Sequence, residues 1–566
     1  MNGSIRRLAL AVLLLFILVG LLLPGVKTQA QEEELGALIV GSVKDPQNQA
    51  VFEAIVLLVT TGEVEPIAET ITQADGRFVL VPPESFGDAL SVTVERPHFQ
   101  SSSYPLSSDA IRLLEAGEPV VMPEIRLQRQ ISPAFWVATL VFVLVLALIA
   151  TGIIHNTLAA LVGISILYAV SYFGPILSSG LFVFDFTSSI RYIDWNVIFL
   201  IMGMMIVIAV VENTGVFQWL AFFAYRISGG RTWLLLPILM LITGIASAFL
   251  DNVTTMLLMT PITVQISLAL GINPLALLIP EVMASNVIGV STLVGTPTNI
   301  LIGSYANISF NDFLVNLTPG VLMAFAGLLV YSFLIYRREL ALAHEASPLL
   351  MEKLAERGQI TEPVQLKKST VVFAGMLILF VVGERFHMLP AVTALMGATV
   401  LLIWIKPDID EMIEAVDWTT LVFFMSLFIV VGGIQEVGLI SVIADVINQM
   451  VGDNLLLAML AVTWLSAILS MVIANIPFTA AMLPVVAFLT ASIPGAESKV
   501  LFFCLSVGAA MGGNGSLIGA SANMVTAGIS EAAGYPITYS YFIKKGFPAL
   551  LITVALAMVW LLIRFI

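Results

Sequence analysis

The chain has 566 residues, of which 59% are hydrophobic and only 11% charged, with a mean hydropathy of +1.01. Soluble proteins carry about 25% charged residues, so a purely soluble protein is excluded, and many apolar runs of roughly twenty residues indicate membrane helices rather than a barrel. The net charge is −14, but residues 31–130 hold 16 acidic against 6 basic residues, so the acidity belongs mostly to one segment and says little about any transported species.

Residues 1–30 carry Arg6 and Arg7, an apolar run from Leu8 to about Val26, and the small-x-small ending Thr28-Gln29-Ala30. This pattern reads as a cleaved signal peptide, with a retained first transmembrane helix as the alternative. Either would place the following segment outside the cytoplasm. Residues 35–127 read as a small all-β sandwich. The β-prone runs are 38–40, 54–59, 78–81 and 90–94, separated by turns such as Ala74-Asp75-Gly76-Arg77. The stretch from Gly41-Ser42-Val43 to Asp75-Gly76-Arg77-Phe78 resembles the carboxypeptidase regulatory-like sandwich, which by itself assigns no function.

From Ile131 the apolar pattern predicts helices at 133–154, 157–175 and 194–212, and an interfacial segment at 216–227. Two apolar arms follow at 232–250 and 256–270, then a broken helix at 277–307 and a helix at 318–336. Residues 131–336 form a first repeat. The polar stretch 337–369 reads as a cytoplasmic linker. A second repeat, 370–566, follows the same plan: helices at 370–384, 389–405 and 418–434, an interfacial stretch at 436–450, arms at 454–473 and 478–493, a broken helix at 499–530 and a last helix at 547–564.

The repetition is visible in single residues. Asp194-Trp195 and Asp417-Trp418, Gly215 and Gly438, Asn252 and Asn475, and Pro261 and Pro484 are all 223 residues apart. Gly289/Gly513, Gly295/Gly519 and Asn299/Asn523 are 224 apart, and Pro319/Pro548 are 229 apart. With 31–130 outside, helix counting puts Arg226, Arg231, the linker, Lys406 and Lys544-Lys545 in the cytoplasm. That follows the positive-inside rule and favours inverted repeats. The polar tip between each pair of arms favours re-entrant hairpins.

Two polar clusters interrupt these helices. The first is Asp251, Asn252, Thr254 and Thr255 with Gly295-Thr296-Pro297-Thr298-Asn299. The second is Asn475, Pro477 and Thr479 with Gly512-Gly513-Asn514-Gly515-Ser516 and Gly519-Ala520-Ser521-Ala522-Asn523. Gly and Pro free backbone groups, and Asn and Thr add neutral oxygens, which suits a hard cation such as Na⁺ or an anion met by helix N-termini. Ala474 stands where the first cluster has Asp251, so the charge is unequal and coupling to a proton or cation is expected in the first half, with Asp251 as the titratable group. Glu281 is a second coupling candidate; its plainer reading is a first-turn acid near the start of the broken helix. Asp194 and Asp417 read as N-caps. The lone Cys504 and the scattered His98, His155, His344 and His387 argue against a resident metal, and no other cofactor is indicated. No basic, aromatic-interleaved patch points to nucleic acid.

Ser247-Ala248-Phe249-Leu250-Asp251-Asn252-Val253-Thr254-Thr255 and the run from Gly519 to Ile529 resemble the ion transporter superfamily. The resemblance is to the branch of citrate transporter-like domains that holds the melanosomal P protein, NhaD-type sodium/proton antiporters and arsenite permeases, and covers about 131–566. It implies a multi-pass plasma-membrane protein, in most cases a homodimer, working by an elevator movement. Function would be Na⁺/H⁺ antiport or cation-coupled transport of a small anion, with an anion channel or an arsenite or carboxylate permease as the alternative. The divalent anion/sodium symporters carry Ser-Asn-Thr at both tips, where this chain has Asp251-Asn252-Val253 and Ala474-Asn475-Ile476; that departure weakens a dicarboxylate reading. An enzyme is not expected, because no Ser/His, Asp/Asp or HExxH constellation is present.

Overall fold

The computed structural model describes residues 37–46, 50–60, 65–83, 85–87, 89–341 and 359–566. The expected leader (1–30) and most of the expected linker (342–358) lie outside the described residues. The chain divides into two compact units, Met1–Gln130 and Ile131–Ile566.

The first unit holds two four-stranded sheets. One joins β1 (Ile39–Lys44) with β4 (Arg77–Leu80), antiparallel, and with the short parallel strands β7 (Val120–Val121) and β8 (Ile125–Arg126). The other orders β3 (Pro66–Ile71), β2 (Ile55–Thr60), β5 (Leu90–Glu95) and β6 (Ser102–Pro105) as an antiparallel set. Helix α1 (Ser108–Glu115) adds Leu114 to the apolar core, which also takes Ile39, Val56, Leu58, Phe78, Val92 and Ile125. The Asp75 carboxylate accepts from Arg77 N at 3.0 Å, and Gly76 adopts φ +76° there, with Val43 O 2.5 Å from where a Cβ would stand.

The second unit is helical. Its first elements are α2 (Pro133–Thr151), α3 (Asn156–Phe173), the short α4 (Phe186–Ile190) and α5 (Trp195–Glu212). Next come α6 (Val216–Ser228), the arms α7 (Thr232–Phe249) and α8 (Asn252–Ala269), and a broken helix made of α9 (Leu275–Ile288) and α10 (Pro297–Ala306). The long α11 (Phe310–Ala341) completes this series. The second series is α12 (Pro363–Val382), α13 (Pro390–Ile405), the short α14 (Ile409–Glu414), α15 (Trp418–Glu436) and α16 (Leu439–Val451). It ends with the arms α17 (Leu455–Val472) and α18 (Asn475–Ser492), the broken pair α19 (Val500–Gly512) and α20 (Ser521–Ala532), and α21 (Tyr539–Phe565).

Eleven of the described helices are long and apolar enough to cross a membrane, and the protein is a multi-pass membrane protein. The four arms are among them at 18 residues each; at 1.5 Å rise per residue that is about 27 Å, close to the thickness of a bilayer core. Exposed apolar side chains such as Leu140, Val143, Ile378 and Ile468 belong on such a lipid-facing surface. The broken helices sit at the centre: every residue of α9 and every residue of α19 is buried. Asp194 and Asp417 cap α5 and α15 through Asn196 N at 3.0 Å and Thr420 N at 3.1 Å.

Two placements depart from the sequence expectation. Helices α11 and α21 begin at Phe310 and Tyr539, so Pro319 and Pro548 lie inside helices rather than at their starts. Glu281 is in the second turn of α9, which begins at Leu275, and not in its first.

Candidate functional site

Each pair of arms meets the break of the following helix through a shared pattern of backbone contacts. The Ser247 hydroxyl donates to Ser285 O at 3.1 Å, and Ser470, 223 residues later, donates to Ala509 O at 2.6 Å. Thr292 donates to Ala248 O and accepts from Gly295 N at 3.1 Å; Ser516 donates to Met471 O and accepts from Gly519 N at 3.2 Å. Asn299 and Asn523 staple the two breaks. The Asn299 amide donates to Val290 O at 2.9 Å and Thr292 O at 2.8 Å, and that of Asn523 to Gly513 O at 2.8 Å and Ser516 O at 2.9 Å. Buried carbonyls left by a broken helix must find donors, and the two asparagines supply them.

Glycine is required where these backbones touch. A Cβ on Gly295 would stand 2.4 Å from Gly289 O and 2.9 Å from Ser247 O, and one on Gly519 2.9 Å from Gly513 O and 3.0 Å from Ser470 O.

The two clusters are joined through Asn286, which the sequence reading did not single out. Asn252 Nδ2 donates to Asn286 Oδ1 at 2.8 Å, and Asn286 Nδ2 donates to Asn514 Oδ1 at 2.9 Å and Asn523 Oδ1 at 3.1 Å. Asn514 donates onward to Met283 O at 3.3 Å. A second bridge runs from the Ser506 hydroxyl to Asn299 Oδ1 at 2.6 Å. The start of α8, the last turn of α9, the break after α19 and the start of α20 thus share one chain of buried amides. Asn286, Asn514 and Asn523 are each 2% exposed or less.

Asp251 is the N-cap of α8. It accepts from Val253 N at 2.8 Å, Thr254 N at 2.9 Å and the Thr254 hydroxyl, while Thr255 donates back to Asp251 O at 2.8 Å. At the second tip Ala474 offers α18 no side-chain cap, and Thr479 donates to Asn475 O at 2.7 Å. Pro477 lies in the first turn of α18 and is buried. Pro297 opens α10, where the Thr296 and Thr298 hydroxyls are 3.0 Å apart, and Ser521 opens α20. Neither α10 nor α20 has a side-chain cap.

Glu281 stands apart from the amide chain. It is fully buried, and its Oε1 accepts from the Thr243 hydroxyl of α7 at 2.6 Å. A cavity of about 380 Å³, lined by Asn196, Leu293, Ile300, Ser304, Glu384 and His387 among others, reaches the residues beside the first break.

A family model described as "Citrate transporter" matches residues 144–508. The 46 kDa membrane protein of Mycobacterium leprae is 36% identical over 431 residues, covering 76% of this chain and 99% of its own. An uncharacterized transporter of Mycobacterium bovis is likewise 36% identical over 431 residues, 76% of this chain and 98% of its own. The P protein of Homo sapiens is 30% identical over 523 residues, which cover 79% of this chain and 62% of that protein. The family and the Mycobacterium bovis relative are described as transporters, not enzymes. With its broken helices and the matched span together, the chain belongs to the citrate transporter family of the ion transporter superfamily.

Proposed function

We propose that the protein is a secondary active transporter that moves a small anion together with a cation, through a site built on the amide chain of Asn252, Asn286, Asn514 and Asn523. The observation that carries this reading is that chain itself. It is buried, it is neutral, and it ties together the ends of interrupted helices from both halves, the arrangement used by transporters with midplane sites. The starts of α10, α18 and α20 have no side-chain caps, so their backbone N–H groups suit an anion. The family's name makes a carboxylate such as citrate the first probe.

Coupling is assigned to the first half. Asp251 and Glu281 have Ala474 and Leu505 at the corresponding positions of the second half, so only one side of the site carries carboxylates. These two carboxylates also favour the second reading, Na⁺/H⁺ antiport. The recurrence of the same hydrogen bonds 223–224 residues apart supports inverted repeats, with the two arm pairs acting as re-entrant hairpins in an elevator movement, in a plasma-membrane homodimer. Residues 31–130 then lie outside the cytoplasm, and the 337–369 linker inside.

Reconstitution into proteoliposomes tests the reading. Radiolabelled citrate, arsenite and Na⁺ are offered under imposed ΔpH and Na⁺ gradients, after a thermal-shift screen has ranked them as ligands. Gradient-driven accumulation and trans-stimulated counterflow are expected. Equilibration without counterflow would identify a channel.

A further inference from the structure

Three polar side chains, Thr243, Thr263 and Glu281, meet between α7, α8 and α9. Thr243 donates to Glu281 Oε1 at 2.6 Å, and the Thr263 hydroxyl is the carboxylate's other polar neighbour. Ser285 follows Glu281 one turn later on α9, where its carbonyl receives the Ser247 hydroxyl. All four of Thr243, Thr263, Glu281 and Ser285 are 0% exposed. Among the described residues, Glu281 Oε2, Thr263 Oγ1 and Ser285 Oγ have no hydrogen-bond partner. Buried polar groups are nearly always satisfied, so orphaned oxygens on a buried carboxylate, on the hydroxyl beside it and one helical turn away call for an occupant.

Among the described residues no basic side chain balances the carboxylate. Helices α7, α8 and α19 carry no Lys, Arg or His, and the one acid of α20, Glu531, is exposed. On α11, Arg337 and Arg338 are exposed, Asp312 receives Ser309, Tyr331 donates to Lys545 O, and Tyr336 and Glu339 lie in its last turns. On α21, Tyr539, Lys544 and Arg564 are exposed, and Lys545 lies over the Tyr336 and Tyr541 rings. Cys504 of α19 and the capping Asp251 complete the titratable groups of these elements. An isolated charge in such surroundings is costly.

The fold does not need these groups. Ser285 and Ala509 are equivalent by their shared serine contact, which makes Leu505 the counterpart of Glu281. Val486 stands for Thr263 and Ser466 for Thr243. Leu505, Val486 and Ala509 are all fully buried, so the second half fills three of the four places with apolar side chains and keeps only the buried Ser466 hydroxyl.

We infer that Glu281, with the Thr243, Thr263 and Ser285 hydroxyls, is a site for one dehydrated monovalent cation, for which a proton and Na⁺ compete. Either occupant neutralises the carboxylate, and Na⁺ would also give the orphaned oxygens a common partner. Na⁺ binding then releases the proton to solvent and leaves the charge of the site unchanged. Use of this site for coupling rests on the transporter reading; occupancy does not.

The test is infrared difference spectroscopy of the full purified chain, wild type minus Glu281→Gln, titrated with NaCl at fixed ionic strength. The proton arm predicts the carbonyl stretch of a protonated carboxylic acid that is absent in Glu281→Gln. The sodium arm predicts that Na⁺ removes this band and replaces it with carboxylate bands. An acid band insensitive to Na⁺, or carboxylate bands that respond to Na⁺ with no acid band in its absence, would overturn the competition. An ionised Glu281 indifferent to Na⁺ overturns the inference. Thr263→Val gives a second reading, because it removes the hydroxyl beside the carboxylate and leaves Glu281 in place. It is expected to shift the Glu281 band and raise the Na⁺ concentration needed for half-effect; an unchanged titration removes Thr263 from the site. No transport is measured, so a channel-like flux result would sink the transporter reading without touching this one.

Discussion

Asn252 and Asn286 are joined amide to amide at 2.8 Å, and through Asn286 the tip of the first pair of arms is tied to the break in the second half. Asn286→Ala is expected to break that link while keeping the helix. It leaves Asn252, Asn514 and Asn523 each short of a partner, at about 1–3 kcal/mol for a buried group left unsatisfied. Transport should fall more than thermal stability, and flux and melting curves on the same preparation would show it. Wild-type flux from Asn286→Ala would remove the amide chain from the site.

Gly295→Ala and Gly519→Ala should both be destabilising, because each methyl would meet backbone rather than flexible side chain. The expected cost is about 1–3 kcal/mol for overpacking. Gly295→Ala should be the more severe, with a backbone oxygen 2.4 Å away against 2.9 Å for the nearest atoms at Gly519. Gly375→Ala, with nothing within 4 Å of its Cβ position, serves as the control. Thermal unfolding in detergent checks the order.

At the first tip, Asp251→Asn should keep the cap of α8, whereas Asp251→Ala should cost about 1 kcal/mol. The reverse change, Ala474→Asp, supplies the missing cap to α18 and also puts a negative charge at the second tip. Equal or higher stability with weaker anion uptake is expected. Undiminished uptake would count against anion binding at that helix start.

In the first unit, Lys44 Nζ lies 2.6 Å from Glu124, and hydrogen bonding to that ammonium holds the exposed Glu124 carboxyl below its ordinary range. Its contribution is present above the ordinary carboxylate range and is lost as pH falls through the lowered value. Glu124→Gln should therefore differ from wild type near neutral pH and match it in strong acid. The comparison is one of melting temperatures at the two pH values.

Much of this architecture was legible because Gly, Pro and Asn punctuate the helices at matching places. The repeat spacing located both tips and both breaks. Residues without a counterpart were invisible to that method. Asn286 corresponds to Ala510 and Ser506 to Val282, so neither stood out, although they carry the bridges between the halves. The helices expected from 318 and 547 begin earlier, so Pro319 and Pro548 lie inside them, where membrane packing tolerates proline. In the first unit, β3 opens on Pro66, and β6 reads Ser102-Ser103-Tyr104-Pro105. Both are edge strands without an apolar alternation, and both escaped the pattern.

Gradient-driven citrate uptake into proteoliposomes, with counterflow measured on the same vesicles, tests the central claim most directly. The wild type should accumulate citrate above equilibrium only when a Na⁺ or proton gradient is imposed, show trans-stimulated exchange, and lose both with Asn286→Ala. Passive equilibration that ignores both gradients, shows no counterflow and survives Asn286→Ala would contradict a coupled carrier built on this site.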